Sequence, residues 1–284
     1  MNFLIWTAGS APTSGGQVVL HKLAYELSKT HKVYTTTPAI FPNSQIEILP
    51  QISKLTWDTS KIDFNNTVVI YPEITKGTRL GGKHIVRWIL CHTKPETESS
   101  WNSTDLHFKF DEYWETYRNE YAGVLRVHDL KLDLFKDLGN PRSGYCHIFR
   151  GDKRIRAAKD KNLVVEYNSN SIRGEWPGGD FGLLNAVYNK YEYFITHDPS
   201  TYYSVMAALA GCKSIILDPS ESPESFRARS SAFKYGVAYG WDDLEYAEKT
   251  KPKLRPYLES LEKYSLETIQ DFLTFWEERL KNEN

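Results

Sequence analysis

At 284 residues and 40% hydrophobic content, the chain is long enough for one large cored domain or two small ones, and no run approaches the roughly 20 apolar residues of a membrane span. With 35 Lys and Arg against 36 Asp and Glu, the net charge is −1, so no global basic field points to nucleic acid or an anionic membrane. Cys91, Cys146 and Cys212 are odd in number and lack metal-ligand spacing, which suits a reduced, cytoplasmic setting better than a disulfide framework.

The first apolar segment, Met1 to Trp6, is too short and lacks the positive flank of a signal peptide, so it reads as a buried strand. A loop of small residues follows, from Thr7 through Ser14, Gly15 and Gly16. Then Val18, Leu20, Leu23, Ala24 and Leu27 repeat at helical spacing over Gln17 to Ser28. The loop lacks the Gly-x-Gly-x-x-Gly spacing, and the next strand, Lys32 to Thr37, does not end in the acid that would hold a ribose. It reads either as a tight βα turn or as backbone brought close to a ligand at Gly15 and Gly16.

Asn66 to Glu73 is an apolar strand that Pro72 stops just before a carboxylate. His84 to Leu90 returns as a strand or short helix, and Leu106–Phe110 and Val124–Val127 are further strand candidates. Leu138 to Gly144 is dense in turn formers and reads as the linker between domains. A strand at Tyr145–Phe149 runs into a basic turn, Arg150 to Arg154, which is either a solvated loop or a clamp on a diphosphate. A strand at Leu163–Glu166, a polar loop from Tyr167 to Gly179 and a helix over Asp180–Asn189 come next. Past Leu217, a helix starts at Ser222, and two charged helices, near Lys253–Lys263 and Leu266–Lys281, close the chain.

Between Asn189 and Leu217 lies the most informative stretch. The apolar run to Thr196 ends in His197-Asp198-Pro199-Ser200-Thr201, an Ala-rich helix follows to Gly211, and a second apolar strand begins at Cys212. This is the βαβ unit of a parallel sheet, with Asp198 or Ser200 as helix cap, Pro199 in the first turn and Gly211 as the left-handed stop. The N–H groups opening such a helix lie at the carboxyl edge of the sheet, where phosphates bind. The alternation of strands and helices, split near the midpoint, gives two α/β domains.

Tyr193, Phe194, Asp198, Pro199, Thr201, Tyr203, Ser204, Ala207, Ala208, Leu209, Gly211, Cys212 and Ser214 resemble the donor-binding segment of a bacterial and viral set of glycosyltransferases. Two further segments resemble the same group: Tyr71, Pro72, Glu73, Gly77, Leu80, Val86, Arg87, Trp88 and Leu90, and then Gly236, Ala238, Tyr239 and Gly240. The loop from Tyr167 to Asp180 departs from the pattern. The resemblance implies the GT-B fold, two Rossmann-like domains facing across a cleft. It implies an acceptor-side domain over 1–138, a donor domain over 139–250, and helices over 251–284 packing back on the first.

It further implies a hexosyl- or pentosyltransferase that uses a UDP- or GDP-sugar and a glycan or oligosaccharide acceptor, with neither cofactor nor metal. Asp198, Ser200, Thr201 and Ser204 would bind the donor with Arg150 and Lys153, and Ser14, Gly15 and Gly16 would form a loop beside the cleft. The ribose-gripping Glu of retaining relatives falls on Met206, which cannot accept hydrogen bonds from a ribose. That favours inversion, with Glu73 as general base and His21 and His92 as rivals. A nucleotide-sugar epimerase on the same fold and a non-catalytic glycan-binding module are the alternatives. Glu73 also has a purely structural reading, as a turn cap or a partner of Arg79 or Arg87.

Overall fold

A computed structural model describes residues 1–7, 15–54, 56–117, 120–148, 169–171, 180–218, 220–229 and 232–283. The chain divides into two compact units, Met1–Asp129 with Glu262–Asn284, and Leu130–Leu261. Both are α/β units built on parallel sheets.

The first unit holds β1 (Asn2–Ile5), α1 (Gly15–Leu27), β2 (Lys32–Thr35), β3 (Ile46–Ile48), β4 (Gln51–Ser53), β5 (Thr56–Trp57), β6 (Thr67–Pro72), β7 (His84–Ile89), α2 (Pro95–Glu98), β8 (Leu106–Lys109) and β9 (Gly123–Val124). Seven of its strands form a sheet in the order β3-β2-β1-β6-β7-β8-β9, every pair parallel, while β4 and β5 form a small antiparallel pair. All six residues of β6 and all six of β7 are buried, because the sheet is covered on both faces. Strand alternation sorts the core. Phe3, Ile5, Val68, Ile70, Val86 and Trp88 pack with Leu20, Leu23 and Leu27 of α1, while Leu4, Trp6, Val69, Tyr71 and Ile85 pack on the other face with Ile62 and Leu80.

In the second unit β10 (Tyr145–His147), β11 (Ser169–Ser171), α3 (Phe181–Tyr188), β12 (Tyr193–Thr196), α4 (Tyr203–Leu209), β13 (Lys213–Ile216), α5 (Pro223–Arg229), β14 (Val237–Tyr239) and α6 (Leu244–Thr250) follow one another. Its sheet runs β11-β10-β12-β13-β14, again wholly parallel. Cys146, Phe194, Ile216 and Tyr239 face α3 and α4, and Ile195, Ile215 and Ala238 face Ala247 of α6. Asp180 caps α3 by accepting the Leu183 N–H at 3.0 Å, and Gly211 ends the α4 turn at φ +103.

Several expectations need correction. The segment expected as a linker is knit into the second unit, which begins at Leu130 rather than at 139. Arg142 donates to Tyr188 O (2.8 Å) and Ala210 O (2.6 Å) and pairs with Asp137 (2.7 Å), while Asn189 Oδ1 accepts the Leu138 N–H at 2.9 Å. Turn formers mark irregular backbone, but side-chain bonds of this kind can fix it as firmly as a helix does.

The two expected terminal helices are one, α7 (Leu254–Glu283). At the polar stretch that reads as a break, Ser265 Oγ accepts the His128 N–H (3.1 Å), and Thr268 Oγ1 accepts from Arg126 N (3.0 Å) and donates to Arg126 O (2.8 Å). Beyond it, Ile269, Phe272, Leu273, Trp276 and Leu280 form one buried stripe against Phe3 and Phe108. The strand expected over Val124–Val127 shortens to Gly123–Val124, and that over Tyr145–Phe149 to Tyr145–His147. The basic turn from Arg150 to Arg154, the strand expected at Leu163–Glu166 and most of the polar loop after it lie outside the described residues. No helix among the described residues is long and apolar enough to cross a membrane.

Candidate functional site

Parallel strands all end on one edge, and ligands of open α/β sheets bind where the strand order reverses. In the first unit the reversal is at β1, which has β2 on one side and β6 on the other. Glu73 sits at this crevice because Pro72 ends β6 there, yet the Glu73 N–H still pairs with Trp88 O at 3.1 Å. One carboxylate oxygen accepts the Leu90 N–H at 3.1 Å, and the residue is 6% exposed. Burial pushes its carboxyl up to about 7, outweighing the opposite pull of the backbone N–H groups of Leu90 and Glu73 itself.

Glu73 has no ion pair among the described residues. Arg87 turns elsewhere: its Nε meets Asp105 at 2.7 Å, and its other nitrogens donate to Thr75 O (3.2 Å) and Gly77 O (2.9 Å). Arg79 lies over the Trp6 ring at 5.8 Å. The structural reading of Glu73 as partner of Arg87 is therefore corrected, and what remains is a buried carboxyl held by backbone, able to take up or release a proton near neutrality.

Around it, Gly15 and Gly16 open α1 instead of forming a loop. Neither takes positive φ, and a Cβ on Gly16 would meet only Leu90 Cδ1 at 3.9 Å, so no neighbour demands glycine there. Ser14 lies outside the described residues. Sequence reasoning missed the threonines at the same edge. Thr36 Oγ1 accepts from Thr7 N (2.9 Å) and donates to Thr7 O (2.7 Å), and Thr37 Oγ1 donates to Thr7 Oγ1 (2.8 Å). The run Thr35-Thr36-Thr37 at a strand end was the available signal. Of the two rival bases, His21 is fully buried in α1, and His92 Nδ1 accepts the Glu115 N–H at 3.2 Å.

In the second unit the order reverses at β10, between β11 and β12. At the end of β12, Thr196 Oγ1 donates to Ile148 O (2.8 Å) and accepts the Asp198 N–H (3.2 Å). Asp198 then organises the turn: Oδ1 accepts from Ser200 N (3.1 Å) and its carbonyl from Thr201 N (3.3 Å). The helix expected to start near Ser200 starts at Tyr203, with no side-chain cap, because Asp198 closes an Asx turn instead. The Ser200 and Thr201 N–H groups are thus already engaged, which leaves their hydroxyls for a ligand. Ser204 lies inside α4, fully buried, with no partner for Oγ among the described residues, so it does not reach the edge. Arg150 and Lys153 lie outside the described residues.

His147 at the end of β10 and His197 after β12 join this edge, and neither was singled out from the sequence. Burial lowers the pKa of both; at His197 it outweighs an upward pull from Asp218, and His147 adds a smaller lowering. Both are therefore neutral imidazoles at pH 7. Among the described residues no three His, Cys, Asp or Glu side chains are grouped to hold a metal ion.

No protein-family model matches the chain. No curated protein matches it either. Among solved structures it is similar to the spinosyn rhamnosyltransferase SpnG complexed with thymidine diphosphate, at 9% identity, over 96% of this chain and 96% of that one, with a TM-score of 0.35. At that score the two folds superpose only loosely. The chemistry available at the site is that of this chain's own groups: a buried carboxyl poised near neutrality on one sheet edge, and hydroxyls with neutral imidazoles on the other.

Proposed function

We propose that the chain is a glycosyltransferase that moves a sugar from a nucleotide-diphosphate donor to a hydroxyl of a glycan acceptor, with inversion and without a metal. The observation that carries this reading is Glu73: a carboxyl at the carboxyl end of a central strand, beside the strand-order reversal, titrating near 7. A general base works best with a pKa near the operating pH. Glu73 takes the proton of the acceptor hydroxyl as that oxygen bonds to the anomeric carbon; the bond from that carbon to the diphosphate oxygen breaks, and the nucleotide diphosphate leaves.

The donor in this reading lies at the edge of the second unit, on the hydroxyls of Ser200 and Thr201, with charge from Arg150 or Lys153 to offset the departing diphosphate. The GT-B arrangement, with the two units facing across a cleft, belongs to the proposal. Three segments of the sequence, around Glu73, Asp198 and Gly236, support it by resemblance. The test is a panel of UDP-, GDP- and dTDP-sugars, with release of nucleotide diphosphate and the anomeric configuration of the product as readouts. Glu73→Gln should keep donor affinity while transfer falls by roughly 100- to 10,000-fold. Transfer at the wild-type rate, or a product that retains configuration, overturns the assignment.

A further inference from the structure

The carboxyl edge of the first unit carries a cavity of about 450 Å³ beyond Glu73, lined by His92, Thr93, Lys109, Glu115, Thr116 and Tyr117. Its place follows from the strands. Leu90, whose N–H holds the Glu73 carboxyl, continues β7 into His92 and Thr93, and Lys109 ends β8 opposite Ile89. Glu73 does not line the cavity. The walls are tied together: Glu98 is buried and accepts from the Thr93 hydroxyl and from the Tyr117 N–H (2.9 Å), and the Thr93 N–H donates to Glu115 O at 3.3 Å. The His92 ring lies edge-on to Tyr113 and Trp114, at 5.1 and 4.9 Å. Because His92 Nδ1 accepts the Glu115 N–H, the neutral ring carries its proton on Nε2, which makes that atom a donor.

The lining therefore offers an ammonium at Lys109, a carboxylate at Glu115, an imidazole N–H and several hydroxyls. Neither Lys109 nor Glu115 has an ion-pair partner among the described residues; Lys109 Nζ lies 4.8 Å from the centre of the Tyr121 ring. An anion drawn to Lys109 in this cavity would be opposed by Glu115, and a cation drawn to Glu115 would be opposed by Lys109. A polyhydroxylated ring satisfies both at once, since every hydroxyl can donate to the carboxylate or accept from the ammonium. Tyr117, 65% exposed, supplies a flat apolar ring for the C–H face of such a ligand.

We infer that this cavity binds one ring of a saccharide. Its use as an acceptor subsite rests on the transferase reading above. Since Glu73 lies outside the cavity, the ring held here is not the one that reacts, and the acceptor is at least a disaccharide.

The test is titration of the full chain with methyl glucoside, galactoside and mannoside at millimolar concentration, without nucleotide, followed by NMR of the histidine rings. At least one glycoside should shift the His92 resonances, while His21 and His84 stay unmoved. Glu115→Gln and Lys109→Met, which keep the backbone bonds of the cavity wall, should each weaken binding about tenfold or more. Glu73→Gln should leave it unchanged. Glycosides that fail to shift His92, or that bind equally well to both cavity variants, overturn the inference. Because nucleotide release is read separately, saccharide binding without turnover would sink the transferase reading alone, and turnover without His92 perturbation would sink this one alone.

Discussion

The proton affinity of Glu73 makes a prediction about stability that holds whatever the reaction. Replacing it by Gln keeps an oxygen for the Leu90 N–H and removes the titration. The carboxyl has its ordinary value of 4.5 in the unfolded chain and about 7 in the native state. The native state therefore binds the proton more tightly, and the stabilisation this gives is fully present below 4.5 and lost as pH rises through 7. A shift of that size corresponds to about 3 kcal/mol, so between pH 4.5 and 8 the wild type should lose about 3 kcal/mol of stability relative to Glu73→Gln.

Urea unfolding followed by tryptophan fluorescence reads it, because Trp6, Trp88, Trp101 and Trp276 are all buried in the unit that contains Glu73. The variant should overtake the wild type as pH rises. Parallel stability profiles over that range, or a Glu73 carboxyl resonance that titrates near 4.5, would refute the reasoning and remove the ground for Glu73 as a base poised at neutrality.

Other perturbations test the frame around it. Arg87→Met leaves Asp105 buried and unpaired and should cost about 3–5 kcal/mol in urea unfolding, with part of it recovered in the Arg87→Met/Asp105→Leu double variant. Trp276→Ala removes the largest side chain of the α7 stripe, 1% exposed, and should cost about 3–5 kcal/mol; an unchanged urea midpoint would mean that the stripe is not part of this core. If cationic side chains and hydroxyls offset the leaving-group charge, a chelator should leave most of the sugar transfer intact, and activity lost on chelation and restored by Mn²⁺ or Mg²⁺ would count against the metal-free proposal.

Strand periodicity and turn chemistry made the parallel sheets legible, because β1, β6, β7, β12 and β13 are apolar runs whose two faces are both covered. What sequence reasoning missed depends on partners distant in the chain. Nothing near Ser265 says that its hydroxyl serves His128, so a continuous helix reads as two; nothing near Arg142 says that it serves Tyr188 and Ala210, so a fixed segment reads as a linker. At the site, local rules placed Glu73 at its strand end and Asp198 in its turn. They did not show that Asp198 would take the Ser200 N–H for itself, nor that His147 and His197 would share an edge.

The segments around Tyr71-Pro72-Glu73 and Arg87-Trp88, separate in sequence, turn out to be one structural object. In the β6–β7 register Tyr71 lies opposite Arg87 and Pro72 opposite Trp88. The Arg87 guanidinium stacks 4.8 Å from the Tyr71 ring, whose hydroxyl accepts the Leu80 N–H at 2.8 Å, and Trp88 Nε1 donates to Leu125 O at 2.8 Å. Each of these polar groups is satisfied internally: Arg87 and Tyr71 fix the loop after β6, and Trp88 ties β7 to the backbone just past β9. Glu73 is the exception: its carboxyl is held by backbone N–H groups alone, with no cation among the described residues to keep it charged. A residue kept for packing at that position would be cheaper as an apolar side chain, since a buried carboxyl without a counter-ion costs stability above its pKa. The mould around it is structural, and the group it holds is the one whose presence the fold does not explain.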